Sequence, residues 1–315
     1  MSRVFVEGYG IVSPGGWGVQ AFRAVWEGRV DPVVGEVSRP DGWRLKVLRV
    51  PAPAARAPWQ MHPRMRRASP ISQFTVGAAL EAMGGVSAEG LGIVSCVMGG
   101  SVQYSRRFYG EVLVEPSTAS PMLFPETVFN APASHLAAVL GTPERNDTCV
   151  ADETGFLSGL VVAADWLGRG LVRRCLVVAA EEADWTTAEA ARVFSRGGVA
   201  SEGAAAVLLG TGSGVAELVG VSDPEPYRAG VGRRRSAELA WSGMGMGEGT
   251  PVLGSGWKAE GARNLEVRLG AGLAAAGGWA CVAAIDDMVR GGARQAGVSV
   301  AGSNLQSMAA VFGRG

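Results

Sequence analysis

The feature that most constrains the fold is the run NDTCVADETGFLSGLVVAADWLGRG, residues 146–170. It reads as a strand, a sharp polar turn and a helix that stops at a glycine. Over 154–168 the helix is apolar nearly all round, with Phe156, Leu157, Leu160, Val161, Val162, Trp166 and Leu167. Such a helix cannot lie on a surface; it belongs between layers. A strand, a turn and a buried helix are also a frame in which a helix N-terminus can activate a nucleophile. The question is which residue of this turn is that nucleophile, or whether there is one.

The rest of the chain supplies the layers. LGIVSCVMGG (91–100), LVRRCLVVAAEE (171–182) and EGAAAVLLGTG (202–212) read as buried strands. SGVAELVGVSD (213–223) is a further strand, and GVSVAGSNLQSMAAVFG (297–313) gives two strand-like runs around a Gly-Ser-Asn turn. GVQAFRAVWEG (18–28), SQFTVGAALEAMGG (72–85) and GLAAAGGWACVAAIDDMVRGG (272–292) have helical spacing and end at glycine. Alternating buried strands and helices predict an α/β protein. Two stretches show little periodicity: the Pro- and Arg-rich 30–70, read as an irregular excursion, and the polar, Gly-rich 224–264.

Composition excludes several classes. Hydrophobic residues are 47%, charged residues 18%, and 47 glycines point to a close-packed core of small residues. The formal net charge is +0, so nothing electrostatic favours nucleic acid or an anionic membrane. The start lacks a signal-peptide h-region and no uninterrupted run reaches transmembrane length, so a soluble cytoplasmic protein is expected. Cys96, Cys149, Cys175 and Cys281 fit no metal or disulfide spacing. Neither a metal nor a resident cofactor is expected.

Several blocks, in this order, resemble the β-ketoacyl synthases of the thiolase-like superfamily: VFVEGYGIVSPGGWGVQAFRAVWEGR, MHPRMRRASPISQFTVGAALEAM, VMGG after its strand, PMLFPETVFNAPASHLAAVLG before the turn, SEGAAAVLL, GAGLAAAGG and AGSNLQSMAAVFGR. The resemblance implies a five-layer αβαβα dimer of two similar halves. These fall at 1–212 and 213–315 in one compact unit, the second half shortened.

It also implies three catalytic groups, and this chain departs from all of them. A ketosynthase uses a Cys at the helix N-terminus and two downstream His residues for decarboxylative condensation. Here the two His residues, His62 and His135, both precede the turn, and both read as structural. Alignment puts Ala271 at the second His position and Met246, in GMGEGTP, at the first; a competing register in VLGSG gives Leu253. Neither Met nor Ala can relay a proton. At the nucleophile position, ungapped counting from Phe124, Pro125 and Asn130 lands on Glu153, and one residue later on Thr154. Cys149, in an alternative register, reads as a buried strand thiol.

A ketosynthase without its three groups resembles the chain length factor of type II polyketide synthases. The resemblance then implies a heterodimer with an active ketosynthase through the strand at about 144–152. The substrate rides on the phosphopantetheine of an acyl carrier protein, bound mainly by the partner. The growing chain enters a cavity at the interface, closed by Tyr104, Phe108 and Val112 of helix 101–114 and by Leu123. Shortening at about 183–200 and 224–270 matches the compact factors of reducing, polyene-forming systems. Rival readings are a starter-generating malonyl-carrier decarboxylase using Glu153 or Thr154, a condensing enzyme using Cys149, and a homodimer that binds acyl groups.

Overall fold

The computed structural model describes residues 3–142, 144–194, 198–228, 231–246, 250–256, 262–303 and 306–315, and every structural statement below concerns these. In chain order the first half holds β1 (Phe5–Ser13), β2 (Gly16–Trp17), α1 (Val19–Trp26), β3 (Val34–Ser38), β4 (Arg44–Leu48), α2 (Pro70–Met83), β5 (Leu91–Val97), α3 (Val102–Val114), α4 (Ala131–Leu140), β6 (Asn146–Val150), α5 (Gly155–Gly168), β7 (Arg174–Glu181), α6 (Trp185–Phe194), β8 (Ala200–Ser201) and β9 (Gly203–Gly210). The second half holds β10 (Ala216–Val221), β11 (Glu225–Pro226), α7 (Arg233–Ser242), β12 (Val252–Ser255), β13 (Arg263–Asn264), α8 (Glu266–Leu269), α9 (Ala274–Gly291), β14 (Gln295–Ala301) and β15 (Gln306–Gly313).

The local causes are ordinary. Every residue of β5 and of β9 is buried, as continuous apolar and small-residue runs require of central strands. Helix α2 starts with Pro70 at its first position and stops at Gly84, which is left-handed at φ 52.

The main sheet runs β13-β12-β14-β15-β10-β1-β9-β7-β5-β6. It divides into two copies of one pattern. From β1 outward, β9 and β7 each add antiparallel, then β5 and β6 add parallel. From β10 outward, β15 and β14 add antiparallel, then β12 and β13 add parallel. The copies join where β1 pairs antiparallel with β10 through Phe5↔Glu217 and Val6↔Ala216.

Helices complete the layers. α2 covers β1, β7 and β9 on the outside of the first half, and α7 covers β14 and β15 on the outside of the second. α5 and α9 pack on each other between the two half-sheets and touch both. That gives helix, sheet, helix pair, sheet, helix, the five-layer α/β arrangement expected from the sequence. The Trp279 indole of α9 donates to the Val12 carbonyl at 3.1 Å and the Ala204 carbonyl at 3.2 Å, tying the second half's helix to the first half's sheet.

The two stretches read as aperiodic contain more structure than their patterns indicate. Residues 30–70 hold the β3–β4 hairpin, which pairs with β8 in a small sheet. β3 is exposed or half-exposed throughout, so it lacks an apolar signature. Residues 224–264 hold α7 and β12; α7 begins Arg-Arg-Arg and buries only Ser236, Ala237 and Ala240.

Candidate functional site

The turn between β6 and α5 lies at the meeting point of the two halves. Asp152, Glu153 and Thr154 are all nearly sealed from solvent. Asp152 Oδ1 accepts from the Thr154 amide at 3.0 Å and the Thr154 hydroxyl at 2.8 Å. Glu153 Oε2 accepts from the Ser303 amide at 2.8 Å, and the Ser303 hydroxyl reaches Oε1 at 3.1 Å and Oε2 at 2.8 Å. Gln306 Nε2 donates to Thr154 Oγ1 at 2.9 Å. Two glycines permit this approach. A Cβ on Gly277 of α9 would stand 2.1 Å from the Glu153 carbonyl oxygen, and one on Gly302 would stand 2.3 Å from the Asp152 carboxylate.

Burial pushes the Glu153 carboxyl above its usual value, and the charge of Asp152 acts in the same direction; the Ser303 bonds oppose both. The result is a locked, reluctantly ionised carboxyl group at the turn before α5. A carboxylate there offers no thiolate for acyl transfer, and a Thr hydroxyl held by Asp152 and Gln306 has no imidazole beside it. His62 accepts from the Arg64 amide through Nδ1, and His135 Nε2 pairs with Glu126 Oε2 at 2.8 Å, holding Phe124–Glu126 against α4.

Cys149 lies within β6, in register with Cys96 of β5, rather than at the helix N-terminus. Interaction between the two thiols raises the Cys96 thiol, with burial acting the same way, and lowers that of Cys149. Ala271 precedes α9, its amide donating to Val199 O at 2.8 Å and its carbonyl accepting from the Ser201 amide at 2.9 Å. Its methyl group has no proton to give.

The structure does not bring Met246 to the turn. Its sulfur lies against Gly297 beside Trp241, on the outer face covered by α7, whereas Glu153 packs against α9 on the inner side. Leu253 lies within β12, between Val298 and Arg263. The C-terminal end of that strand is what approaches the site. Ser255 Oγ donates to Glu266 Oε1 at 3.2 Å, and the Gly256 amide donates to the same oxygen at 2.8 Å. Arg233 spans the Gly256 and Gly302 carbonyls at 3.4 and 3.0 Å, and the Tyr227 hydroxyl donates to Gly302 at 2.7 Å. Sequence reading missed Ser303, Gln306, Arg233, Tyr227 and Ser255. The signals available were the Gly-Ser-Asn turn of AGSNLQSM, which carries Ser303 and Gln306, and the Gly-Ser-Gly at the end of VLGSG, where Gly256 is left-handed at φ 75 and a Cβ would meet the Ala301 carbonyl at 1.9 Å. Among the described residues, no three His, Cys, Asp or Glu side chains converge to hold a metal ion.

The candidate cavity residues sit together at the far end of the first half-sheet. Phe108 packs at a tilt against Phe124 at 5.6 Å and edge-on against Tyr109 at 5.7 Å between ring centroids. Tyr104 donates to the Arg67 carbonyl at 2.9 Å, Val112 is half-buried one turn beyond Phe108, and Leu123 is buried. Helix α3 has no buried residue at all. Around it Tyr109, Leu113, Val114, Met122, Phe124, Val128 and Phe129 are exposed, Leu113 and Val114 at 85% and 87%. β6, the end strand of the sheet, continues this face with exposed Val150.

A second surface has charge without counter-charge. Arg56, Arg64, Arg66 and Arg67 are exposed, and none has an ion-pair partner among the described residues. Arg56 and Arg66 flank an open groove of about 400 Å³ with Trp59, Gln60, Met65 and Gln73.

No family model matches this sequence and no curated protein sequence is similar to it. Solved structures are similar over the whole chain. The ishigamide ketosynthase/chain length factor has a TM-score of 0.83 at 18% identity, covering 99% of both chains. A type II polyketide acyl carrier protein complex with its ketosynthase bound to the hexaketide has a chain at 0.80 and 16%, again 99% of both. A ketosynthase in complex with its chain length factor from Xenorhabdus doucetiae contributes a chain at 0.76 and 12%, covering 100% of this chain and 98% of that one. At these identities the likeness establishes architecture: from end to end the chain has the thiolase-like fold of the ketosynthases and chain length factors.

Proposed function

We propose that this chain is a non-catalytic chain length factor that pairs with an active ketosynthase in type II polyketide assembly. One observation carries the reading: the turn before α5, where the sequence resemblance puts the nucleophile, holds Glu153, a buried carboxyl group locked by Ser303, with no imidazole in contact. Such a site has no thiol to load and no base to drive decarboxylation. The partner supplies both.

The partner covers the face of α3, residues 116–130 and β6. An exposed apolar patch next to an open sheet edge is what a stable heterodimer hides. The partner's acyl chain then grows against Phe108 and its Phe124 neighbour, with Tyr104, Val112 and Leu123 around them. Each two-carbon extension needs volume, and overfilling a packed wall costs about 1–3 kcal/mol. The aromatic pair therefore acts as a stop. An apolar lining suits a reduced, polyene-like chain better than a poly-β-ketone. The acyl carrier protein brings phosphopantetheine-bound substrate, and the unpaired arginines at 56–67 are a docking surface for an acidic carrier. Among the described residues no helix is long and apolar enough to cross a membrane.

The test is co-expression with an active ketosynthase. A one-to-one heterodimer is expected, with condensation abolished by mutating the partner's nucleophilic Cys and unaffected by Cys149→Ala. Phe108→Ala should lengthen products without abolishing turnover. A stable homodimer that ignores the ketosynthase, or loss of all activity in a folded Cys149→Ala variant, would sink the reading.

A further inference from the structure

Helix α3 carries the proposed stop but has no buried residue to anchor it. Apolar packing of its own side chains is limited to half-buried residues such as Phe108 and Val112. Polar ties fasten its first turns, and two backbone amides from two helices converge on one side chain. Glu182, 1% exposed at the end of β7, accepts from the Gln103 amide through Oε1 at 2.8 Å and from the Ile71 amide through Oε2 at 3.0 Å. One carboxylate thus caps the N-termini of α3 and α2 together.

The neighbouring bonds follow the same seam. Ser69 Oγ meets Ser101 Oγ at 3.1 Å, Gln103 Nε2 donates to Ala183 O at 3.2 Å, and Tyr104 donates to Arg67 O at 2.9 Å. Arg67 is the last of the unpaired arginines, four residues before Ile71. The carrier-facing segment and the cavity-facing helix are therefore fastened along one line, with Glu182 at its buried centre.

We propose that Glu182 is a positioning residue that fixes α3 to the start of α2, so that the docking segment and the chain-length stop hold one relative position. The inference rests on the reading of α3 as the cavity wall. Glu182 contacts neither substrate nor carrier in this scheme. Its two amide donors explain why a carboxyl group is needed there, although the surrounding acids oppose its charge. Glu181, Asp184 and Glu202 lie around it, with Arg106 on Asp184 at 3.0 Å and Arg49 on Glu202 at 2.6 Å. Two amide donors from two helices need two acceptor oxygens, and a side chain with one leaves a buried N–H orphaned.

Hydrogen exchange on the full chain paired with an active ketosynthase tests this, read beside product length from malonyl-carrier substrate. Glu182→Ala should speed exchange over 101–108 at least tenfold and broaden the product distribution. Glu182→Gln keeps one acceptor and should restore most protection at one of the two amides. Tyr104→Phe, which leaves the buried carboxylate intact, should loosen the same segment less and keeps the test available if Glu182→Ala fails to fold. Unchanged exchange over 101–108 in a folded Glu182→Ala variant overturns the positioning role. Faster exchange with unchanged product length overturns α3 as the stop, and the specificity role of Glu182 with it.

Discussion

The two halves share one strand order and differ at the same two places, the end strand and the turn before the central helix. In the first half the end strand β6 spans Asn146–Val150 and continues into an exposed apolar face; in the second, β13 is only Arg263–Asn264. The turn before α5 is built from buried Asp152, Glu153 and Thr154, and the turn before α9 from Gly270, Ala271, Gly272 and Leu273. Leu273 pays for that compactness with a positive φ of 46, which a non-glycine residue rarely adopts. One repeat keeps a polar lock and an open edge, features suited to a partner. The other is given over to close packing, with α9 buried along nearly its whole length.

Breaking the contact between the halves should have the largest effect. Gly277→Val places side-chain atoms where the Glu153 carbonyl already sits, and backbone there cannot yield. We expect a loss of more than about 3 kcal/mol, seen as an insoluble chain or a collapsed melting temperature. Gly168→Ala, on α5 with nothing within 4 Å of its added Cβ, is the matched control and should keep the wild-type melting temperature or raise it.

The buried acids at the end of β7 come next. Burial lifts Glu181 to about 8 and Glu182 to about 7, from an unfolded value of 4.5. A carboxyl group with a raised folded value binds its proton more tightly in the native state. Its contribution is fully present below the unfolded value and is lost as pH rises through about 7 and about 8. Denaturant unfolding should therefore show stability falling from about pH 4.5 to about pH 8 by on the order of a few kcal/mol, and levelling off above that. Glu181→Gln should remove the part of the fall above about pH 7 and leave the Glu182 part below it; a fall between pH 7 and pH 8 that persists in the variant assigns it elsewhere.

Glu153→Gln sharpens the contrast between the two turns. It removes a charge that burial disfavours and keeps an acceptor for Ser303, so at pH 8 it should stabilise by about 1 kcal/mol. Activity of the heterodimer should be unchanged. The smallest effect on the chain itself is expected at Leu113→Asp, within about 0.5 kcal/mol for an exposed position. Association with the ketosynthase, followed by analytical ultracentrifugation, should nonetheless weaken at least tenfold. Val267→Asp, also exposed but on the second half, should alter neither; equal weakening by both variants would place the partner elsewhere.

Much of the architecture was legible because burial writes itself into short-range pattern. β5, β7 and β9 read as continuous apolar strands, and α5 read as a helix without a polar face. The hairpin β3–β4 and helix α7 were hidden because their exposed or charged residues leave no apolar period. Met246 shows the same limit. Its flanking glycines resembled a motif, yet Gly-rich segments carry too little pattern to fix a register, and the strand end that approaches the site is Ser255–Gly256.

By itself, then, the sequence determined a layered α/β chain, an apolar central helix and a chain with no His after residue 135, though Val161 of that helix is exposed in the fold. Only the tertiary structure decided that Ser303, 150 residues downstream, locks Glu153, and that Cys149 faces Cys96 rather than the helix N-terminus. Periodicity records which side of an element is buried, a property of neighbours a few residues apart. It does not record which surface from the other half arrives there. That is settled when two half-sheets close over α5 and α9 and glycines such as Gly277 and Gly302 let backbone and carboxylate approach within contact distance.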